Sequence, residues 1–108
     1  SRFAIDGSIW VTSGAQILNF LQAAPKSFQI SGLTFPVGEF GQIYTSSGID
    51  NLYVIDKANS ALLVISKDGV YLKAYQSPEF AKASDLAIDS EEKKLYLAVG
   101  NRVLEADL

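Results

Sequence analysis

The sequence contains no cysteine, no histidine and no methionine among its 108 residues. Without cysteine there is no disulfide, thiolate metal site or cysteine nucleophile. Without histidine the chain lacks the commonest general base, which argues against zinc chemistry and His-assisted serine catalysis. The segments Ser13-Gly14 and 46–48 have no His or Lys in a helpful context, so neither predicts a serine nucleophile. We therefore expect no enzyme activity, no catalytic or metal-binding residue and no cofactor.

Basic residues are also scarce. Nine Lys and Arg face twelve Asp and Glu, which gives a net charge of −3 and a pI of about 4.7. Nucleic-acid binding normally requires a basic stripe, so we expect no nucleic-acid partner. Lys93-Lys94 is the only adjacent basic pair, and we expect it to solvate a turn. No apolar run reaches the roughly 18 residues of a membrane span, so we expect no membrane insertion by this segment.

The remaining composition is that of a globular domain. Hydrophobic residues make up 48% of the chain and charged residues 19%, which is typical of a folded rather than a disordered sequence. The chain begins Ser1-Arg2 instead of with Met. We expect it to be cut from, or processed out of, a longer protein.

An internal repeat organises the sequence. Trp10, Tyr53 and Tyr96 are spaced by 43 residues, and each lies in a segment of similar texture. An Ile-Asp pair stands at or just before each segment, and a second apolar run starts 7, 9 and 7 residues after the aromatic. The segments are Gly7–Val11, Asp50–Val54 and Lys93–Leu97; the pairs are Ile5-Asp6, Ile49-Asp50 and Ile88-Asp89; the later runs begin at Ile17, Leu62 and Val103.

Period-2 patterning and turn residues divide the three copies into four, four and three strands. Asp68-Gly69 predicts a tight hairpin turn in copy two. Residues 62–65 are apolar on both faces, as expected for a strand between two neighbouring sheets. The predicted strands are Phe3–Ile5, Ile9–Thr12, Gln16–Leu21 and Phe28–Ser31; Gln42–Thr45, Leu52–Ile55, Ala61–Ile65 and Val70–Tyr75; Leu86–Ile88, Leu95–Val99 and Val103–Ala106; one helical turn is predicted at Pro78–Ala83.

Four-stranded units that recur every 40–50 residues or so indicate β-propeller blades. The prediction is an all-β fold of four-stranded antiparallel blades that form an incomplete propeller. Blade 1 spans about residues 1–33, blade 2 about 34–77 and blade 3 about 78–108, without its outer strand. The predicted core lies between blades and contains Ile9, Val11, Leu52, Val54, Leu62, Val64, Leu95, Leu97 and Val103.

The repeat resembles that of NHL-repeat and gluconolactonase-like propellers, whose blades carry a motif like Asp-Gly-Asn-(Ile/Leu)-Tyr-Val followed by Asn-x-(Arg)-(Ile/Val). The matching segments here are Ile5–Val11, Ile49–Asp56 and, for the second part, Gly100–Leu104. The resemblance covers the whole chain and implies a six-bladed ring. Gluconolactonase-like enzymes hold a metal with a Glu, an Asn and an Asp from well-separated blades. No residue of this chain matches those positions, so no site is carried over.

Several residues invite a functional interpretation. Asp6, Asp50 and Asp89 could surround a central cation, but we expect each to cap the turn after an innermost strand. The repeat aromatics could stack on a ligand, but we expect them to pack between blades. The loop 56–60 is the longest between second and third strands and could contact a partner or be a solvated hairpin. The segment 90–94 is interpreted as a capping or solubilising turn. No binding residue can be named from the sequence.

Two functional classes remain open, beside a structural spacer with no ligand of its own. The first is a non-catalytic propeller scaffold, part of a larger bacterial-type multidomain protein, that presents loops to a protein, peptide or glycan. The alternative is a fragment of a metal-dependent propeller hydrolase or lactonase whose site lies mainly in other blades. Because three blades leave two terminal faces uncovered, we expect self-association into a homodimer that completes a six-bladed ring.

Overall fold

The computed structural model describes residues 2–21 and 24–108, and the side chains of all of these except 3, 21 and 24–27. Three antiparallel sheets follow one another along the chain. In each sheet, neighbouring strands are also consecutive in sequence, so every sheet is a simple meander. We call them blades 1, 2 and 3.

Blade 1 contains strands β1 (Phe3–Ile5), β2 (Ile9–Ser13), β3 (Gln16–Leu21) and β4 (Ala24–Phe28). Blade 2 contains β5 (Phe40–Tyr44), β6 (Asn51–Asp56), β7 (Ala61–Ser66) and β8 (Tyr71–Gln76). Blade 3 contains β9 (Asp85–Ile88), β10 (Lys94–Val99) and β11 (Arg102–Asp107). The helix α1 (Pro78–Lys82) precedes blade 3, and the Ser77 side chain caps it by accepting from the Glu79 N–H.

Turn chemistry explains where the hairpins fall. Gly69 has φ of +96° in the turn between β7 and β8, a conformation that a side chain disfavours. Its N–H donates to the Ser66 carbonyl over 2.9 Å, which confirms the predicted turn at Asp68-Gly69. The single predicted helical turn is confirmed as α1.

Blade 2 is sandwiched between the other two. Successive residues of β6 and β7 point to opposite faces. Leu52, Val54, Leu63 and Ile65 pack with blade 1, whereas Tyr53, Ile55, Leu62 and Val64 pack with blade 3. All eight are buried, and burial of one such aliphatic side chain contributes about 1.5–3 kcal/mol. The prediction of a two-sided apolar strand at 62–65 is therefore confirmed.

One predicted strand was wrong. The fourth strand of copy one was predicted at Phe28–Ser31 but lies at Ala24–Phe28, where it pairs with β3 from Leu21 to Ile17. Pro25 weakens the local β pattern of this segment, yet proline is tolerated on an edge strand because no further strand needs its missing N–H. Ser31 instead forms a parallel bridge to Val70.

The predicted core is confirmed for blade 2 and for one face of blade 3. Leu95 and Leu97 are buried against blade 2. Ile9 and Val103, however, are exposed, and Val11 is only half-buried. These three lie on the outward faces of the terminal blades, where this chain supplies no neighbouring sheet. The fold is all-β, with three blades stacked face to face as an incomplete propeller.

Candidate functional site

The junction between blades 1 and 2 contains a buried carboxylate. Asp6 follows β1, and its side chain is 8% exposed. Its Oδ1 accepts from Trp10 Nε1 over 2.9 Å, from the Ser8 hydroxyl over 3.0 Å and from the Ser8 N–H over 3.2 Å. Its Oδ2 lies 2.8 Å from Lys67 Nζ of blade 2. Lys67 also donates to the Ser46 carbonyl over 3.0 Å, so one cation ties a blade 1 turn to two segments of blade 2.

Asp6 is held in its ionised form. Burial alone would raise the pKa of this carboxyl, but the hydrogen bonds from Lys67, Trp10 and Ser8 outweigh burial and lower the pKa below its ordinary value. A carboxylate of this kind is suited to holding a positive charge in place. It is unsuited to acting as a general acid at neutral pH, since such a role requires a raised pKa.

The junction between blades 2 and 3 contains a second carboxylate. Glu92 lies in the turn between β9 and β10, with φ of +57°. It accepts from the Tyr53 hydroxyl over 2.8 Å, from Asn51 Nδ2 over 3.1 Å and from the Asp50 N–H over 3.2 Å. All three donors belong to blade 2. Burial and the bond to Glu92 both raise the pKa of Tyr53 above its ordinary value, so the phenol stays protonated and donates.

A third carboxylate fixes the segment 29–39, which connects blade 1 to blade 2. Asp56 is fully buried at the end of β6. It accepts from Asn59 Nδ2 over 2.6 Å and from the N–H groups of Gly38 and Glu39 over 3.4 and 3.3 Å. A β-carbon at Gly38 would overlap the Ala58 side chain, which is why a glycine stands there. The predicted loop 56–60 is thus partly used to hold the connecting segment.

A buried hydroxyl adds a further tie between blades 1 and 2. Thr12 donates to the Gly41 carbonyl over 2.8 Å. Beside it, the Phe40 N–H donates to the Gly14 carbonyl over 2.8 Å. The register of β5 against β6 shifts between Phe40 and Ile43, and the Gln42 Oε1 in this shift is buried without a hydrogen-bond partner among the described residues.

The three Asp residues of the Ile-Asp pairs do not share one role. Asp6 and Asp89 accept turn N–H groups, as predicted; Asp89 bonds the N–H groups of Lys93 and Lys94 over 2.7 and 2.9 Å. The backbone bonds, that from Lys94 first, lower the pKa of Asp89. Asp50 is exposed, and its side chain forms none of the described bonds; its N–H donates to Glu92 instead. Across residues 2–21 and 24–108, no three acidic side chains come close enough to hold a metal ion.

The repeat aromatics occupy one face of each blade. Trp10 is buried between blades 1 and 2, and Tyr53 between blades 2 and 3. Tyr96 is half-buried on the outward face of blade 3, and its hydroxyl has no hydrogen-bond partner in the part of the chain that is described. Packing between blades is confirmed for the first two aromatics and not for the third.

Two cavities flank the connecting segment 29–39. Their volumes are about 370 and 320 Å³, and Phe35 lines both. Phe35 packs edge-on against Tyr71 with ring centroids 5.8 Å apart. The side chains that line the larger cavity are uncharged: Thr34, Phe35, Asn59, Ala61, Tyr71, Ala74 and Gln76.

The sequence analysis did not identify Glu92 or Lys67 as junction residues. Each lies in a turn of one blade and bonds a residue of the preceding blade. One signal could have found Glu92. It precedes Tyr96 by four residues, just as Asp6 precedes Trp10 by four. Both acids accept from a repeat aromatic, although Asp6 accepts from its own blade and Glu92 from the preceding one.

The architecture defines the class of protein as β-propeller-like. A comparison with solved structures agrees: the chain is similar to a chain of hydrazine synthase, a β-propeller-containing protein, from Kuenenia stuttgartiensis, with a TM-score of 0.71 and 13% sequence identity. The match covers 98% of this chain and 32% of that chain. Identity this low shows the fold alone.

The other comparisons and the helix content add two findings. No family model matches the chain, and no curated protein sequence matches it. Within the described residues, no helix is both long and apolar enough to cross a membrane.

Proposed function

We propose that the chain is a non-catalytic β-propeller scaffold of the NHL-repeat type, an interaction module within a larger multidomain protein that binds a protein or peptide. The observation that supports the proposal most strongly is that buried or half-buried acidic side chains connect the blades. Asp6, Asp56 and Glu92 each accept hydrogen bonds from a neighbouring blade or from the segment between blades. The hydrogen bonds and the ion pair of these three carboxylates fix the blades relative to one another.

The geometry of these acids also fits a scaffold better than a catalyst. The pKa of Asp6 is lowered because the bonds from Lys67 and its other donors outweigh burial, so Asp6 is unsuited to act as a general acid at neutral pH. Glu92 has three donors around it and faces blade 2. A rigid stack of sheets that exposes turns and terminal faces suits protein binding.

Thermal melting with divalent cations tests this proposal against the metal-dependent hydrolase. A cation present at about 100 times its Kd and bound only by the folded state would stabilise the protein by about 2.7 kcal/mol. For a domain of this size such a gain raises the Tm by roughly 10 °C or more.

The scaffold proposal expects the same Tm in calcium or magnesium chloride as in sodium chloride of equal ionic strength. A rise specific to one divalent cation, reversed by a chelator, would favour the hydrolase fragment. In that case alanine variants of Asp6 and Glu92 would show whether either acid belongs to the cation site.

A further inference from the structure

The outer strand β8 of blade 2 has an edge that already pairs with another segment at its beginning. Ser31, which follows blade 1, forms a parallel bridge to Val70. The Ser31 N–H donates to the Gly69 carbonyl over 2.7 Å, and the Ser31 carbonyl accepts from the Tyr71 N–H over 2.9 Å. Gly32 follows with φ of +87°, and the bridge ends there. The edge of β8 therefore accepts extended backbone, and the bridge covers its beginning alone among the described residues.

The pairing of β7 with β8 shows which backbone groups of this edge point away from the sheet. The Ser77 N–H, just after β8, donates to the Ser60 carbonyl of blade 2 over 3.1 Å. Hydrogen-bonded pairs alternate along an antiparallel ladder, so in the second half of β8 the odd-numbered residues bond to β7. Ala74 and Gln76 turn their N–H and carbonyl groups outward. Within the described part of the chain, neither residue forms a backbone bond outside blade 2. An edge of this kind can pair with a strand from another chain.

The same two residues also line the larger of the two cavities beside the connecting segment 29–39. Side chains alternate between faces along a strand, so Ala74 and Gln76 share one face of β8. The cavity has a volume of about 370 Å³, which lies in the range of sites that hold small groups. A strand added opposite Ala74 would place its own side chain on this face, since paired residues of neighbouring strands lie side by side. That side chain would meet the cavity.

The lining of this cavity favours an uncharged side chain. No charged side chain lines it within the described residues, so an ion would lose its water there without gaining a counter-charge. The Phe35 and Tyr71 rings meet edge-on, with centroids 5.8 Å apart, and offer surfaces to a further ring. Asn59 Nδ2 donates to Asp56 Oδ2 and to the Pro36 carbonyl, over 2.6 and 3.0 Å, which fixes the amide at the cavity. An aromatic side chain fits this chemistry best.

From the free edge and the adjoining cavity we propose that β8 binds an extended peptide segment of a partner protein as an added strand, with an uncharged aromatic side chain in the cavity beside Phe35 and Tyr71. In such complexes the backbone bonds supply affinity and the pocket supplies specificity. Blade 2 already has four strands, and blades 1 and 3 cover its two faces. A further blade of the ring would therefore leave this edge free. The proposal rests on the scaffold function proposed above and names the place where the partner binds.

A phage-displayed library of random nonapeptides, selected on the wild-type chain, supplies the probe. The enriched peptides are expected to share one aromatic residue with uncharged neighbours. The strongest binder is synthesised with capped ends, and its Kd is measured by fluorescence anisotropy. A selection that enriches no peptide would overturn the proposal.

Two variants of one residue separate the edge from the cavity. Ala74→Pro removes an outward N–H, and proline is tolerated on an edge strand where that N–H faces solvent. Ala74→Leu keeps the N–H and fills part of the cavity. Each change is expected to weaken peptide binding by about tenfold, the effect of one lost hydrogen bond or its equivalent in packing. Lys73→Ala is the matched control, because Lys73 lies on the opposite face of β8 with its ammonium group 5.6 Å from the Tyr75 ring centroid. It is expected to leave the Kd unchanged.

A second measurement leaves the protein unaltered. Circular dichroism checks that the variants fold, and the probe peptide is also N-methylated at each residue in turn. An added strand donates to its neighbour from every second N–H, so binding is expected to weaken at alternate residues. A Kd that none of these changes alters would overturn the proposal and leave the scaffold function standing. Loss of binding in Ala74→Leu, with none in Ala74→Pro or on N-methylation, would show a ligand in the cavity without an added strand, and would overturn it too.

The scaffold function can also fail separately. A chain that binds the peptide as expected and is stabilised by a divalent cation would overturn the non-catalytic scaffold and keep the peptide site.

Discussion

Blade 2 and blade 1 contain the same repeat in different surroundings. In blade 2, Leu52 and Val54 are fully buried because blade 1 covers them. In blade 1, the equivalent Ile9 is exposed and Val11 half-buried. The alternating sequence pattern is the same in both blades, and it determines on which face of the sheet a side chain lies. Whether that face is buried depends on the presence of a neighbouring blade.

The strongest consequence of this difference concerns Leu52→Asp. A charge at this fully buried position has no partner and is expected to cost at least about 4 kcal/mol, enough to unfold most of the protein. Ile9→Asp changes the same repeat position where the side chain is 41% exposed, and is expected to keep the fold. Urea denaturation followed by circular dichroism measures both effects. Similar loss of fold in both variants would show that the two positions are not in different environments.

The ion pair at the junction of blades 1 and 2 gives the next largest effect. Lys67→Ala leaves the Asp6 carboxylate, 8% exposed, without its cation, whereas Lys67 itself is 27% exposed. We expect a loss of about 2 kcal/mol in the free energy of unfolding, below the value for a fully buried pair. Lys93→Ala is the control, since its ion pair to Glu91 is exposed and is expected to contribute less than about 0.5 kcal/mol. Equal effects of the two changes would contradict a junction role for Lys67.

The pH dependence of stability should identify Asp6 itself. Its pKa is lower in the folded protein than the ordinary value of 3.8, because the bonds from Lys67 and the other donors outweigh burial. Its contribution is therefore present above about pH 4 and is lost as the pH falls through the folded pKa. Asp6→Asn is expected to be less stable than the wild type at neutral pH, and the gap should narrow below pH 4. Asp89 also has a lowered pKa, but it is present in both the wild type and Asp6→Asn, so its contribution cancels in the difference between their stabilities. A gap that does not change with pH would contradict this account.

The junction of blades 2 and 3 should be less sensitive to a single deletion. Tyr53→Phe removes one of three described donors to Glu92 and keeps the buried ring. The expected loss in the free energy of unfolding is about 1 kcal/mol, below the range of about 1.5–3 kcal/mol for hydrogen bonds to charged groups, because Glu92 is only half-buried and keeps two other donors. Tyr71→Phe is the control, because the Tyr71 hydroxyl has no described hydrogen bond. Thermal denaturation of both variants should rank them in this order.

The repeat made most of the fold predictable from the sequence. Strands β2, β6 and β10 were located by an aromatic residue every 43 positions, and the turn at Gly69 by its Asp-Gly pair. Strand β4 was misplaced, because Pro25 weakens the local β pattern and only pairing with β3 defines the strand. Local signals fail where tertiary pairing decides.

The candidate site was less predictable than the fold. Asp6 and Asp89 could be assigned to turns because their partners are close in sequence. The partners of Glu92 lie about 40 residues away. Contacts between residues so far apart in sequence depend on how two blades pack, and the alternation of side chains along a strand does not predict that packing. The exposure of Ile9 and Val103 was not predicted for the same reason: the alternating pattern marks both residues as apolar face positions, whereas their burial depends on a neighbouring blade.

Small-angle X-ray scattering of the wild-type chain tests the self-association expected from the sequence most directly, because it reports mass and shape together. A single chain has a radius of gyration of 12.9 Å over its Cα atoms and a longest extent of 37 Å. Self-association predicts a particle of twice the chain mass, with a larger radius of gyration than that of a single chain. A particle of one chain mass with a radius of gyration close to 12.9 Å would contradict it.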